Sequence, residues 1–394
     1  MLKTSRAAEH VPFVNTERDC GILRSVFADS EFVRVPLRGC KDLVAKLPAG
    51  PKIWVDAGID GLDRWPVEDK YKQYLEAFSD SDRVADPVFR EKPDAAAVRR
   101  FVNCVLDACA TVRPTWLSIP QLPMTADSTR NRINRELASA TRQWAANSRF
   151  AGRLVLPVVF THQSQVNLKT ARTPKVTLVT QCYNLAGAHG AWVVDSSLMD
   201  QEGSRPLEQT RFPGLINLHQ ELLGCLPTDA FVIAGPYWGM NMVLWARGLI
   251  RYPAMGLGNY YQYHLPGSRL QQGKSRVALG SLKRWVVVSQ SFQAWLTAAL
   301  KVIPASDPAH LEFAELLTRF STLLRGTNRE QVARVYKAWF GSLVAVPAAG
   351  RALAMYQQLS SAYVLGKSLP ELPKDEGSAR RPERVAQQLM LACL

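Results

Sequence analysis

The sequence predicts an α/β protein, a TIM-like βα barrel followed by a helical C-terminal region. Short apolar runs, each closed by a polar loop, alternate with amphipathic stretches between residues 32 and 257. This alternation is typical of parallel sheets, and a count of about eight β runs suits a barrel. An open doubly wound sheet is the alternative. We place the barrel, with its N-terminal strands, in residues 1–275 and the helical region in 276–394.

The predicted β runs are Phe32–Val35, Lys52–Ala57, Thr115–Ile119, Arg153–Phe160, Lys175–Thr180, Ala191–Val194, Ala230–Ala234 and Pro253–Leu257. Val26-Phe27 is predicted to be a further short strand. Apolar residues at helical spacing predict helices at Asp94–Val112, Asp127–Asn147, Gly214–Cys225 and Asn241–Leu249. In the C-terminal region they predict helices at Ser281–Leu300, Leu311–Leu324, Arg329–Leu343 and Gly350–Tyr363. Lys374–Arg384 is charged and rich in helix breakers, so we expect a flexible stretch before the apolar end Val385–Leu394.

The composition permits a large core and favours acidic partners. Of the 394 residues 47% are hydrophobic and 21% charged, and the formal net charge is +14 with a pI of about 9.6. Such a surplus of positive charge favours acidic partners such as nucleic acid or anionic lipid. We expect nucleic acid as the partner and no membrane. A basic surface on an ordinary enzyme is the alternative. The helical region offers a surface for protein partners.

The seven cysteines are scattered and never form a Cys-x-x-Cys pair, which argues against a structural zinc site and against a disulfide framework. We expect a cytoplasmic protein, because no stretch resembles a signal peptide or a membrane span. Neither a Gly-x-Gly-x-x-Gly nor a Walker loop follows a strand, which weighs against a nucleotide-binding Rossmann or NTPase fold. We expect no cofactor and no metal.

Three residues after predicted strands are candidates for catalysis. Asp56 follows Ile53-Trp54-Val55 and precedes Gly58 and Gly61, and Asp195 follows Trp192-Val193-Val194. Barrel enzymes place acids and bases at such strand ends, and the two carboxylates would form an acid/base or nucleophile pair. His162, after the strand Arg153–Phe160, would titrate near neutral pH. Each Asp can alternatively cap the turn or helix that follows.

Other strand-end residues suit a planar, phosphate-bearing substrate. Amide, aromatic and imidazole groups that would read or stack a base stand at Gln163, Gln165, Tyr237, Trp238, Asn259, Tyr260 and His264. Basic residues that would contact phosphates follow at Arg269, Lys274 and Arg276. Burial of the aromatic residues in the core is the alternative for Tyr237 and Trp238.

Residues 50–270 resemble the tRNA-guanine transglycosylase superfamily, βα barrels that exchange a nucleic-acid base through a covalent Asp intermediate. Val55-Asp56-Ala57-Gly58 is similar to the family's early Asp-Ser-Gly-Gly, and Ala246-Arg247-Gly248-Leu249 to its Ala-Arg-Gly-Val. The resemblance implies that Asp56 lies in the base-exchange site and that Gln163 or Gln165 reads the base. The chain departs from the family in three respects: no carboxylate stands at Tyr252–Ala254, the zinc-binding cysteines are absent, and the Gly-Gly pairs are missing.

Three functions follow as hypotheses. The first is an enzyme that acts on a nucleic-acid base or nucleotide at the barrel mouth, with transglycosylase-like chemistry. The second is a non-catalytic barrel that binds nucleic acid or forms part of a multi-protein assembly. The third is a barrel hydrolase for a small sugar or amide substrate that uses the same two carboxylates.

Overall fold

Eight parallel strands close into a barrel in this computed structural model, which describes residues 10–59, 62, 85, 87–89, 94–125, 127–161, 173–196, 198, 208–257, 275–374 and 380–394. The strands are β1 (Val11–Phe13), β2 (Phe32–Pro36), β3 (Lys52–Asp56), β4 (Trp116–Ser118), β5 (Arg153–Phe160), β6 (Gly190–Asp195), β7 (Phe231–Ala234) and β8 (Tyr252–Gly256). Each strand pairs in parallel with the next, and β8 closes the barrel on β1 with Gly256 beside Phe13. The predicted fold class is therefore confirmed.

Aromatic rings fill the barrel interior. Phe32, Trp116, Phe231 and Tyr252 form one cluster, in which the rings of Phe32 and Trp116 stack with centroids 3.9 Å apart. A second cluster joins Phe13, Trp54 and Trp192 through edge contacts with centroids 5.4 to 5.5 Å apart. Gly190 leaves room for the Phe231 ring of the first cluster, because a Cβ at position 190 would lie 2.3 Å from that ring. The interior is thus a packed core and not a pore.

Helices follow the strands along the chain. They are α1 (Glu17–Val26), α2 (Cys40–Lys46), α3 (Ala95–Ala110), α4 (Ser128–Ser148), α5 (Thr173–Ala186), α6 (Glu208–Cys225) and α7 (Met240–Ala246). Aspartate side chains cap the first turns of α3 and α4. Asp94 accepts a hydrogen bond from the Ala96 N–H at 3.0 Å, and Asp127 accepts one from the Thr129 N–H at 2.7 Å. Such caps satisfy backbone donors that have no partner within the helix.

Two predicted strands are wrong. Lys175–Thr180 belongs to α5, where Val176, Val179 and Tyr183 are buried at the three- and four-residue spacing of one helix face. Val26-Phe27 is the end of α1 and not a strand. The barrel nevertheless has eight strands, because Val11–Phe13 forms β1 next to β8. The β-branched residues of α5 favour a strand, and tertiary packing overrides that preference.

The chain divides into two compact units, of which the first contains all eight barrel strands. The second contains Tyr237–Gly248, and thus α7, together with the described residues from 275 onward. Its further elements are the antiparallel pair β9 (Arg276–Leu279) and β10 (Arg284–Val287), then α8 (Gln290–Leu300), α9 (Pro308–Thr318), α10 (Phe320–Arg325), α11 (Arg329–Val344), α12 (Arg351–Ser368) and α13 (Arg384–Cys393).

The predicted helix Ser281–Leu300 is wrong over its first part. β10 occupies Arg284–Val287, and α8 begins only at Gln290, after the cap that Ser289 provides for the Phe292 N–H. Short apolar runs such as Trp285-Val286-Val287 are ambiguous in sequence between helix and strand, and pairing with β9 makes this one a strand. The apolar end Val385–Leu394 is largely the helix α13.

A separate apolar core stabilises the second unit. The hairpin β9–β10 and the helices α8, α9 and α10 contribute to it, with Val277, Phe292, Trp295 and Phe313 among its buried members. Among the described residues no single helix is long and apolar enough to cross a membrane. The helical segments Arg329–Val344 and Ala348–Ser368 reach the required length and apolar composition only as a pair. The chain bends by 114° between them.

Candidate functional site

Asp56 ends β3 with its side chain inside the barrel. Side chains alternate between the two faces of a strand, and Trp54, two residues earlier, lies in the interior aromatic cluster. Asp56 is 1% exposed. Its Oδ2 accepts hydrogen bonds from the Nε of Arg34 at 3.1 Å and from the NH2 group of the same guanidinium. Its Oδ1 accepts one from the Gly58 N–H at 3.3 Å.

Arg34 is the buried partner of this carboxylate. It lies on β2 two residues after the inward-facing Phe32, so it also points into the barrel. Its guanidinium carbon lies 4.9 Å from the ring centroid of Phe13 and 5.9 Å from that of Trp192. The pair thus rests on the second of the two aromatic clusters, where the ring faces attract a cation. Because a buried charge is costly without a partner, each member requires the other.

A third residue extends the pair towards solvent. The Arg34 NH1 group donates to the Oδ1 of Asn15 at 2.6 Å, and Asn15, two residues after β1, is exposed. Asn15 is also held through its backbone, because its N–H donates to the Oδ2 of Asp19 in α1 at 2.9 Å. Asn15, Arg34 and Asp56 therefore form a chain of hydrogen bonds across the C-terminal ends of β1, β2 and β3. We call it the mouth chain.

Asp195 does not join the mouth chain. Trp192 faces the interior, so Asp195, three residues later, faces the outside of the sheet. The surroundings of Lys175 on α5 agree with this placement. Burial lowers the pKa of Lys175 and the Asp195 carboxylate raises it, and its ammonium lies 6.0 Å from the ring of Phe160, the neighbour of Asp195 on β5. Asp56 and Asp195 thus lie on opposite faces of the barrel sheet and are not brought together, and the catalytic role of Asp195 stays a prediction.

Several candidate residues lie outside the described residues: His162, Gln163, Gln165, Asn259, Tyr260, His264, Arg269 and Lys274. Their roles stay predictions. Arg276 is described, and its guanidinium carbon lies 4.3 Å from the Trp285 ring centroid. Its predicted contact with phosphates stays a prediction as well.

Tyr237 and Trp238 are buried in the second unit. Each is 1% exposed. The Trp238 ring contacts Tyr336 and Trp339 with centroids 6.0 and 6.3 Å apart, and its indole N–H donates to the Lys283 carbonyl at 2.8 Å. This placement matches the alternative of core aromatic residues. Arg247, from the segment similar to Ala-Arg-Gly-Val, donates to the Ala392 carbonyl at 2.8 Å and so holds the C-terminal helix.

A groove outside the barrel concentrates positive charge. It has a volume of about 690 Å³ and lies between α4 and α5, where Arg135 and Arg142 face Gln181, Asn184 and Leu185. Arg135 and Arg142 are two helical turns apart on α4 and so lie on one face. Neither forms an ion pair with another described residue.

Among the described residues no group of three or more His, Cys, Asp or Glu side chains has a geometry that would hold a metal ion. The seven cysteines, all within the described ranges, form no disulfide bond with one another.

Sequence reasoning missed Arg34 and Asn15. Arg34 carried a usable signal, because a charged residue at an inward position of the run Phe32–Val35 requires a buried counter-charge. Asn15 was missed with β1, since three residues are too few for a clear period.

No family model matches the chain, and no curated protein matches it. Among solved structures, the chain is similar to a probable tagatose 6 phosphate kinase from Sinorhizobium meliloti 1021. The two share 13% identity over 98% of this chain and 100% of that chain, with a TM-score of 0.34.

Proposed function

We propose that this chain is a barrel enzyme that binds a nucleic-acid base or nucleotide at the C-terminal ends of its strands, the class of substrate that the transglycosylase resemblance implies. The observation that carries the proposal is the mouth chain. It links a buried carboxylate, a guanidinium and an exposed amide at the end of the barrel where barrel enzymes bind their substrates.

The exposed end of the mouth chain suits the polar edge of a ligand. The Arg34 side chain is 6% exposed and rests on Phe13 and Trp192, so its role is to hold Asn15 in place. The Oδ1 of Asn15 is engaged by Arg34, which leaves the amide NH2 of this exposed residue to donate to a base edge. The net charge of +14 favours an anionic substrate.

The role of Asp56 differs from that of an attacking group. Both of its oxygens already accept hydrogen bonds, from Arg34 and from Gly58. Asp56 therefore orients Arg34 and is a positioning residue in this proposal. A base-exchange reaction would need its nucleophile or general base from elsewhere, for which His162 is the remaining candidate.

The test is a binding titration of the full chain. A fluorescein-labelled single-stranded RNA or DNA would be followed by anisotropy, with unlabelled nucleoside monophosphates as competitors. Asn15→Ala should weaken competition about 2- to 10-fold, the range for one hydrogen bond. The matched control is Asn147→Ala, which deletes an exposed amide near the end of α4 and should leave the competition unchanged. Lack of competition by any monophosphate, or equal affinity in Asn15→Ala, would reject the site.

Turnover separates catalysis from binding. Released or exchanged bases would be measured by mass spectrometry after incubation with tRNA and with duplex DNA. Asp56→Asn should lower turnover because Arg34 loses its orientation, whereas Asp195→Asn should not, because that carboxylate faces away from the interior. Equal losses in both variants would contradict the assignment.

The groove between α4 and α5 favours a second function, non-catalytic binding of nucleic acid. Arg135 and Arg142 would contact two phosphates of one strand, with Gln181 and Asn184 beside them. The double reversal Arg135→Glu/Arg142→Glu should weaken oligonucleotide binding and reduce its salt dependence. The control Arg99→Glu/Arg100→Glu makes the same charge change on the exposed face of α3. If both double variants bind equally, the groove is not the contact surface.

A further inference from the structure

A second cavity lies entirely within the second unit. It has a volume of about 270 Å³. One wall is a single face of α11, formed by Val335, Ala338, Trp339 and Ser342 at helical spacing. The indole of Trp238 forms another part of the lining, and Gly280 and Lys283 come from the turn between β9 and β10. The lining therefore combines two indoles, small apolar groups, one hydroxyl and one ammonium.

The turn that carries Lys283 is held in place by two neighbours. The two oxygens of the Glu312 carboxylate accept hydrogen bonds from the Gly280 N–H and, at 2.9 Å, from the Ser281 N–H. The Lys283 carbonyl accepts the indole N–H of Trp238 at 2.8 Å. Lys283 has φ 55°, a left-handed conformation that glycine or asparagine adopts at lower cost. A turn alone therefore does not require lysine here, and strained residues are common at ligand sites.

The Lys283 ammonium has no close counter-ion among the described residues. It lies 5.4 Å from the centroid of the Trp339 ring. Burial lowers its pKa, and Glu312 raises that pKa through a longer-range attraction. The oxygens of Glu312 are engaged with the turn, and no ion pair joins Lys283 to another part of the described chain. A partly buried cation in this position favours an incoming anion.

We propose that this cavity binds a small organic anion, a carboxylate on a flat apolar body, with the carboxylate on Lys283 and the flat body against Trp238 and Trp339. Ser342 lies on the same face of α11 as Trp339. Its hydroxyl accepts a hydrogen bond from the Gln358 Nε2 at 3.0 Å and so is fixed at the rim. The volume corresponds to about nine waters of ~30 Å³ each, which suits a single-ring ligand.

The proposal is independent of the proposed function at the barrel mouth, since every lining residue belongs to the second unit. The cavity proposal therefore has its own test, and a failure of nucleotide binding at the mouth chain would not bear on it.

The experiment uses benzoate as the probe and benzamide, of equal size and shape, as its neutral counterpart. Saturation-transfer NMR on the full chain would give the affinity of each. Benzoate should bind saturably and benzamide at least about tenfold more weakly, because only the carboxylate gains the charge-assisted contact. Lys283→Met, which keeps the side-chain stem, should weaken benzoate about 10- to 100-fold, the range for a hydrogen bond to a charged group.

Two further variants make the result decisive. Lys301→Met removes an exposed lysine of the same unit and should leave benzoate affinity unchanged. Ala338→Leu fills the cavity from an exposed position of α11 without a change of charge, and it should abolish binding of both probes. The proposal is overturned if benzoate shows no saturable binding, if benzamide binds equally well, or if Lys283→Met or Ala338→Leu binds benzoate like the unaltered chain.

Discussion

Separation of Arg34 from Asp56 should cost more stability than any exposed ion pair of the barrel. The two side chains are 6% and 2% exposed. Removal of one partner of such a pair leaves an uncompensated buried charge, which costs about 3–5 kcal/mol of the free energy of unfolding. Asp56→Leu and Arg34→Met should each show a loss in this range. Arg34→Met/Asp56→Leu should recover most of it, because no charge remains buried.

The neighbouring strands provide a matched control. Lys52 and Glu31 pair at 2.7 Å near the start of the same two strands, but their side chains are 50% and 41% exposed. Glu31→Gln should therefore cost less than about 1 kcal/mol. Urea unfolding would be followed by hydrogen exchange in peptides that contain β2 and β3, which reads the barrel separately from the second unit.

The coupling energy decides whether the pair exists. It is the sum of the two single losses minus the loss in the double variant, and we expect a value of several kcal/mol. If Asp56→Leu lies within about 1 kcal/mol of the unaltered chain, or if the double variant loses the full sum, the buried pair does not form in solution.

Three further predictions concern burial. Burial lowers the pKa of His219 to about 4. Because this lies below the ordinary value of about 6.5, the unfolded chain binds more protons as the pH falls from 6.5 to 4, and stability should drop by about 3 kcal/mol across that window. His219→Phe should flatten the pH dependence measured by thermal unfolding, and an unchanged slope would contradict it. Gly366→Ala should cost about 1–3 kcal/mol, because its Cβ would lie 2.6 Å from the Glu383 backbone, whereas Gly341→Ala meets nothing within 4 Å and should be neutral or stabilising. Equal urea midpoints would refute this difference. Cys225 is exposed, while burial raises the pKa of Cys109, Cys182 and Cys393, so a thiol reagent should label Cys225 first. A fast phase that survives in Cys225→Ser would contradict that order.

Much of the barrel was predictable because its strands are buried on both faces. Lys52–Ala57, Arg153–Phe160 and Ala230–Ala234 read as continuous apolar runs, and β3, β5 and β7 follow them within a residue or so. β1 and the hairpin strands were not found. Val11–Phe13 is three residues long, and its pairing with β2 and β8 makes it a strand.

The candidate site divides in the same way. Asp56 was identified from its position after a buried strand, and it does belong to the mouth chain. Asp195 was identified by the same rule and lies on the opposite face of the sheet. A shift of one residue along β6 decides which face of the sheet a side chain occupies, since each step along a strand reverses the direction of the side chain.

Sequence alone determined the fold class and the general position of the polar strand ends, because burial imposes a composition that is readable along the chain. Tertiary structure decided which side chains meet. Arg34 is 22 residues from Asp56, and Lys283 is 45 residues from Trp238. Contacts over such separations depend on strand register and on the phase of each side chain, which local sequence patterns do not encode.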